Sequence, residues 1–227
     1  MRITTAIATL APVALLALGC ASPAQAAERN GKVQVKLMGT AVLPDGKITS
    51  IETNAVGLPS NLQTSANDNY VPTVAIEYFF NDNFSLETIC CVTAHHVTGT
   101  TGLPGAELVA NAHIIPATFT LKYHFGDGTR VTPYVGAGPT YFIVWSEKPG
   151  AAAIAAGADS FKLDDHFGLA LQAGVDVPLG GNLALSLDAK RYFVTTAAHW
   201  YASGTEVIGT HHKLDPWVLS LGVGYTF

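Results

Sequence analysis

The chain has 227 residues, 48% hydrophobic and 13% charged, with 12 Lys+Arg against 17 Asp+Glu. Ample apolar material excludes intrinsic disorder, and the lack of any basic cluster excludes a phosphate-gripping nucleic-acid binder. Beyond the first 20 residues no uncharged apolar stretch approaches the ~18 residues of a membrane helix. The chain is therefore very apolar yet has no helical span.

In chain order, Arg2 precedes the apolar run Ala6–Leu18, and Ala24-Gln25-Ala26 follows as an A-x-A cleavage site. This reads as a secretory signal peptide over residues 1–26. Removing it takes Arg2 away, leaves 201 residues starting at Ala27 and sets the charge at −6. A lipoprotein signal ending at Cys20 is the rival reading. Apart from Cys20 the chain holds only Cys90 and Cys91, whose side chains point to opposite faces of a strand and disfavour a mutual disulfide. No CxxC, HExxH or metal-type spacing appears, so neither a metal nor another cofactor is expected.

Period two then dominates. Val33, Val35 and Leu37 alternate with Lys32, Gln34 and Lys36. Val74, Ile76, Tyr78 and Phe80 alternate with Thr73, Ala75 and Glu77. Phe84, Leu86, Thr88, Cys90 and Val92 alternate with Ser85, Glu87, Ile89 and Cys91. Ala117 to Phe125 follows the same rule around Thr118, Thr120, Lys122 and His124. A strand over about Val131–Trp145 is apolar or Gly on both faces and gives no clear register. Phe167 to Leu179, Leu183 to Ala189 and Trp217 to Phe227 complete eight predicted strands.

The connectors alternate in length. Asn81-Asp82-Asn83, Gly126-Asp127-Gly128-Thr129 and Gly180-Gly181-Asn182 have hairpin chemistry. Pro44–Tyr70, Ala94–His113, Ser146–Asp164 and Ala198–His212 read as long loops. A meander crossing a slab gives this rhythm, with short turns on one side, long loops on the other and both termini on the short-turn side.

The polar faces carry small residues and a mixed charge set: Lys36, Glu77, Glu87, Lys122, Asp176, Asp188 and Lys190. That set suits the interior of an eight-stranded barrel, just wide enough for side chains to fill. The other face carries aliphatics with aromatics near its ends, including Tyr78, Phe84, Tyr123, Trp217, Tyr225 and Phe227, as in transmembrane barrels. Arg191 breaks the apolar face near the long-loop interface, where its stem could snorkel. The predicted fold is thus an all-β, eight-stranded antiparallel up-and-down transmembrane β-barrel over residues 27–227. It has four long outer loops and three short periplasmic turns, and it sits in the outer membrane of a Gram-negative bacterium.

The terminal Phe227 with Tyr225 two before it resembles the barrel assembly signal of outer-membrane proteins. Asp215-Pro216-Trp217 leading to Gly224-Tyr225-Thr226-Phe227, Pro133-Tyr134-Val135-Gly136-Ala137-Gly138, and Ile115-Pro116-Ala117-Thr118 running to Gly126-Asp127 resemble the OmpW family. So do Phe167-Gly168 running to Gln172-Ala173-Gly174-Val175-Asp176, and Asp82-Asn83 with Leu86-Glu87. Most of residues 70–227 is covered, while the N-terminal third matches only in pattern.

The resemblance implies a narrow, largely hydrophobic lumen that binds or passes small hydrophobic molecules, with a lateral opening into the lipid. The alternative it implies is a structural or surface-interaction barrel for stress adaptation or phage or bacteriocin reception. Expected partners are outer-membrane lipid, the barrel assembly machinery and small hydrophobic solutes, the barrel itself being a monomer. By parity Ile89 points inward, with Met38 and Phe79 as further apolar inward residues, so Ile89 could form part of an apolar constriction. Lys190 also points inward, at a level where a hydrophobic gate would prefer an apolar residue.

His95-His96, His199 and His211-His212 lie in the outer connectors and read as solvated loop histidines, with a metal or pH-sensing cluster as the sharper alternative. A lipid-modifying enzyme would need a Ser/His/acid set at the outer rim. His199, His211, Ser203 and Glu206 supply the types without diagnostic spacing, and no enzyme is expected. Val135-Gly136-Ala137-Gly138 lacks the third glycine and the helix of a dinucleotide site, and its glycines read as relief of crowding in the wall. Ala151–Gly157 is a small-residue run suited to a short helix or to disorder.

Overall fold

A computed structural model describes residues 29–126 and 130–227. The signal peptide, both cleavage alternatives and most of the Gly126–Thr129 turn lie outside the described residues. The elements in chain order are β1 (Val33–Leu43), β2 (Lys47–Asn54), β3 (Gln63–Ala66), β4 (Asn69–Phe79), β5 (Phe84–Cys90), β6 (Thr93–Thr101) and β7 (Glu107–His124). They continue with β8 (Thr132–Pro149), α1 (Ala151–Ala155), β9 (Ser160–Leu163), β10 (His166–Gly180), β11 (Leu183–Ala202), β12 (Thr205–Lys213) and β13 (Trp217–Thr226).

Eight of these strands form a closed ring, β1-β4-β5-β7-β8-β10-β11-β13, and β13 returns to β1. All its pairs are antiparallel; Gln34 faces Glu77, Glu77 faces Glu87, and Val35 faces Tyr225 across the closing seam. Closure matters because lipid offers no hydrogen bonds to an open edge. Asn81 Oδ1 accepts from the Asn83 and Phe84 amides at 2.9 Å to shape one short turn. Gly180 and Gly181, at φ 109° and 57°, occupy the left-handed region that a second requires.

Alternation sorts the side chains as the strand pattern predicts. Leu37, Ile76, Leu121, Leu171 and Leu221 are exposed on the outer wall, while Lys36, Glu77, Lys122, Gln172 and Ser220 are buried within. The outer wall is ringed by aromatics at the short-turn end, where Tyr123 meets Phe84 at 5.1 Å and Phe125 at 4.9 Å, and Tyr225 meets Phe227 at 4.7 Å. Tyr141 against Phe167 at 4.5 Å marks the opposite rim.

The four long connectors are not loops for most of their length. β7, β8 and β11 have 18, 18 and 20 residues, where a tilted strand needs only about 9–11 to cross the bilayer. The excess projects outward and pairs with β6, β12 and β9, and through β6 and β12 with β3 and β2. Register shifts at Trp200/Tyr201, Gly209/Thr210 and His211/His212 break the period-two pattern. That is why these strands are hidden in the sequence. They enclose a second apolar core of Leu62, Leu108, Ala153, Phe161, Trp200 and Ile208, with α1 plugged into it through Ala153.

Arg191 does lie at this outer rim. Its Nη2 donates to Asp45 Oδ2 at 2.8 Å and its guanidinium sits 5.1 Å over the Trp217 ring, so the lipid-side cation is both paired and stacked.

Gly138 of β8 lies where two strands approach closely. A Cβ on Gly138 would run into the Phe119 carbonyl, a backbone atom that cannot step aside. Gly138→Ala should cost roughly 1–3 kcal/mol as overpacking. Urea unfolding from lipid vesicles, followed by Trp fluorescence and heat-modified gel mobility, should show the lower midpoint.

Candidate functional site

The periplasmic half of the barrel is filled by a charged network. Lys36 Nζ lies 2.7 Å from Glu77 Oε2 and 3.1 Å from Glu87 Oε2. Lys122 Nζ contacts the same two oxygens at 2.8 and 3.0 Å. Lys190 Nζ reaches Glu87 Oε1 at 3.0 Å and Asp188 Oδ1 at 2.7 Å. Gln172 Nε2 donates to Glu87 Oε1 at 2.9 Å and Asp188 Oδ2 at 2.6 Å, and Tyr134 OH donates to Asp188 Oδ2 at 2.8 Å. His124 Nε2 pairs with Glu77 Oε1 at 2.8 Å, Ser186 donates to Asp176, and Lys122 stands 3.8 Å over the Tyr134 ring.

All seven predicted network residues therefore converge, and none is more than 3% exposed. Three ammonium groups face four carboxylates in space that water does not reach. An isolated charge could not be held there, whereas here each ammonium has a carboxylate within 2.8 Å; Asp176 is the least satisfied member, 3.8 Å from Lys36 and with Oδ2 unpartnered. Glu87 is the hub, in contact with all three lysines and Gln172. The resemblance implies a largely apolar lumen, and this half departs from it: the barrel bore is closed by a polar plug.

Above the plug the chemistry inverts. On the inward row of β5, Glu87 belongs to the plug, Ile89 follows, and Cys91 lines an apolar vestibule. Ile89, Met38 and Ala75 form one small buried cluster between the two. Phe79 lies elsewhere, at the periplasmic end, with its ring 5.1 Å from His124 and beneath the Arg29 guanidinium at 5.2 Å. The vestibule is a cavity of about 130 Å³. Its floor includes Phe142, Tyr192 and Val218, its walls include Leu62, Leu108, Phe161, Trp200 and Ile208, and among the described residues no Lys, Arg, Asp or Glu lines it. Trp200 Nε1 is spent on the Leu108 carbonyl at 3.0 Å, so even this polar group is turned away from the cavity.

The wall beside the vestibule has a gap in its ladder. Pairing between β4 and β5 ends at Val74–Cys90, and pairing between β5 and β7 ends at Ile89–Thr118. It resumes between β6 and β7 at Thr93–Ile114. The segment Cys91-Val92 has no ladder partner on either flank, where Pro72 and Pro116 stand and lack a donor. Side chains brace the gap from above: Asn69 Nδ2 donates to the Ala94 carbonyl at 2.7 Å and Asn67 Oδ1 accepts from the His96 amide at 2.8 Å. Cys91 and Thr93 face the vestibule, and Val92 between them is exposed on the outer wall.

The profile of the OmpW family matches residues 29–227. The chain belongs to the OmpW family. An uncharacterized outer-membrane protein, y4mB of Sinorhizobium fredii, is 32% identical over 86% of this chain and 79% of its own length. The dibenzothiophene metabolism operon protein PahQ of Pseudomonas aeruginosa is 28% identical over 71% of this chain and 74% of its own. The crystal structure of the outer membrane protein OprG from Pseudomonas aeruginosa superposes with a TM-score of 0.79, at 24% identity over 88% of this chain and 97% of that one. The protein is thus an outer-membrane β-barrel of a Gram-negative bacterium.

Sequence reasoning missed several residues of this OmpW-family site. Tyr134 and Phe142 lie on the strand whose two faces looked alike, and both are buried inside. Tyr192 follows Lys190 on the inward row and meets Phe142 at 5.5 Å; the period-two rule alone, carried two residues further, would have found it. The histidines are not uniformly solvated. His95 is 7% exposed and its Nδ1 lies 3.0 Å from the Asn67 carbonyl. His212 lines the vestibule with its Nε2 2.7 Å from Thr210 Oγ1. His199 is held between Glu206 at 3.0 Å and Asp164 at 3.6 Å, and the Glu206 carboxyl is kept below its usual range by hydrogen bonds from Thr53 and His199. Among the described residues no group of three ligands is placed to hold a metal.

Two expectations follow from this geometry. Glu87→Ala leaves Lys36 and Lys122 with Glu77 alone and Lys190 with Asp188, and losing the shared charged hydrogen bonds should cost about 1.5–3 kcal/mol, read as a lower urea midpoint in vesicles. The second concerns His212, whose pKa is pushed down to about 4 by burial and by neighbouring His211. Its folded value is below the unfolded ~6.5, so its neutral form favours folding above that pH. That contribution is lost as pH falls from about 6.5 to 4. Hydrogen exchange of the β2 and β12 amides, corrected for its intrinsic pH dependence, should therefore accelerate over this window, and His212→Gln should flatten the dependence.

Proposed function

We propose that the protein admits small hydrophobic molecules from outside the cell and releases them sideways into the outer membrane. The observation that carries this reading is the vestibule itself: apolar, uncharged, closed below by the plug and bordered by the unpaired Cys91-Val92 segment. An apolar solute gains roughly 25 cal/mol for each Å² it withdraws from water. It would lose that gain on meeting Lys190 and Glu87, whereas the lipid beyond Val92 preserves it. PahQ, named for a dibenzothiophene operon, supports the same chemical class. The role is passive and non-catalytic, carried out by a monomer whose terminal Tyr225 and Phe227 serve recognition by the assembly machinery. Met38 and Ile89 seal the boundary between vestibule and plug.

The test is uptake. Deleting the gene should slow entry of apolar solutes such as naphthalene into cells, and unchanged entry across a panel would overturn the proposal. Locking the wall sharpens it. One rung beyond Val74–Cys90, Thr73 stands opposite Cys91 by register. In a Thr73→Cys, Cys90→Ser variant, oxidation should reduce uptake to the deletion level and dithiothreitol should restore it.

A further inference from the structure

We propose that Lys47 and Lys213 form a binding site for a phosphate group of the phosphorylated lipid in the outer leaflet. The argument begins with cross-strand charge. Lys47 and Lys213 are direct partners in the β2–β12 ladder, and residues so placed have Cβ atoms about 4.5–5.5 Å apart. Like charges in that position repel unless something lies between them.

The same barrel contains the opposite case. Glu77 and Glu87 are direct partners in the β4–β5 ladder, and Lys36 and Lys122 each bridge both of them at 2.7–3.1 Å. Inside the lumen the chain supplies its own counter-ions. Outside, among the described residues, neither Lys47 nor Lys213 has a carboxylate within 4.0 Å. An anion bound between them would come from outside the chain.

Position identifies the source. Ile48 and His212 line the vestibule, so by alternation Lys47 and Lys213 point away from it, onto the outer wall. Both are exposed. Lys213 lies four residues before Trp217, the outward aromatic of the outer rim, and Lys47 lies two residues after Asp45. Asp45 in turn holds Arg191 over Trp217. The nearby carboxylates are already engaged: Asp45 with Arg191, and Asp215 Oδ1 with the Val194 amide at 3.1 Å. Two unpaired ammonium groups just above an aromatic girdle stand at headgroup height. There an acyl chain can lie along the wall while its phosphate sits between the lysines.

The experiment uses the full barrel in detergent, with native mass spectrometry reading retention of bis-phosphorylated lipid A. Wild type should retain it more tightly than Lys47→Gln/Lys213→Gln, by on the order of ten- to thirty-fold for two interfacial cations. Lys47→Arg/Lys213→Arg should hold close to wild-type affinity. Heat-modified gel mobility confirms that each variant is folded. Dephosphorylated lipid A should bind wild type and the Gln variant alike. Equal retention of phosphorylated lipid by both proteins would overturn the site. Displacement of the lipid by millimolar inorganic phosphate would overturn the lipid assignment in favour of a free-anion site.

Discussion

The constraint on which everything else rests is that a backbone in lipid must satisfy its hydrogen bonds within the protein. Eight strands meet that demand by closing the ladder from β13 back to β1. Closure at eight strands then fixes the bore, which is only wide enough for side chains. Charges on a spanning strand have nowhere to go but inward, and once inward they must find one another. The plug around Glu87 is therefore a consequence of the wall, and its three lysines and four carboxylates are as necessary to the bilayer-facing surface as the leucines on it.

The same constraint gives the exception its meaning. A sheet in water can leave a few backbone groups unpaired at little cost. Beside lipid each costs several kcal/mol. The Cys91-Val92 segment nevertheless interrupts two ladders at once, flanked by Pro72 and Pro116. Braces from Asn67 and Asn69 hold the strands together above it. Prolines on both flanks deny the segment an ordinary rung, side chains frame it instead, and it sits directly against the apolar vestibule.

How much was legible follows from how each feature is encoded. The barrel was readable because period two survives wherever one face must be lipid-compatible, as in Trp217 to Phe227. The inward charges were readable for the same reason, since Lys36, Glu77 and Glu87 occupy the polar parity. Their mutual contacts were not, because barrel register and strand tilt decide which levels meet. Lys190 seemed to stand where an apolar gate belongs, but its long stem carries the ammonium down to Asp188 and Glu87. Tyr134 and Phe142 were hidden by Gly136, Gly138 and Pro139, which erase the contrast between faces. The outer strands were hidden by bulges, each of which reverses the inside–outside parity.

The vertical order of the lumen also has an energetic logic. A charged network is stable only if water cannot compete for its members, and an apolar cavity serves a solute only if no unpaired charge borders it. Met38, Ala75 and Ile89 separate the two at a single level. Below them, Lys190 is turned toward carboxylates; above them, Tyr192 and Phe142 line the vestibule. The layer thus protects the plug from water arriving through the vestibule and the vestibule from the field of the plug. The layer stands level with the start of the unpaired wall segment, where Ile89 is followed by Cys91 on the cavity side and Val92 on the outer wall.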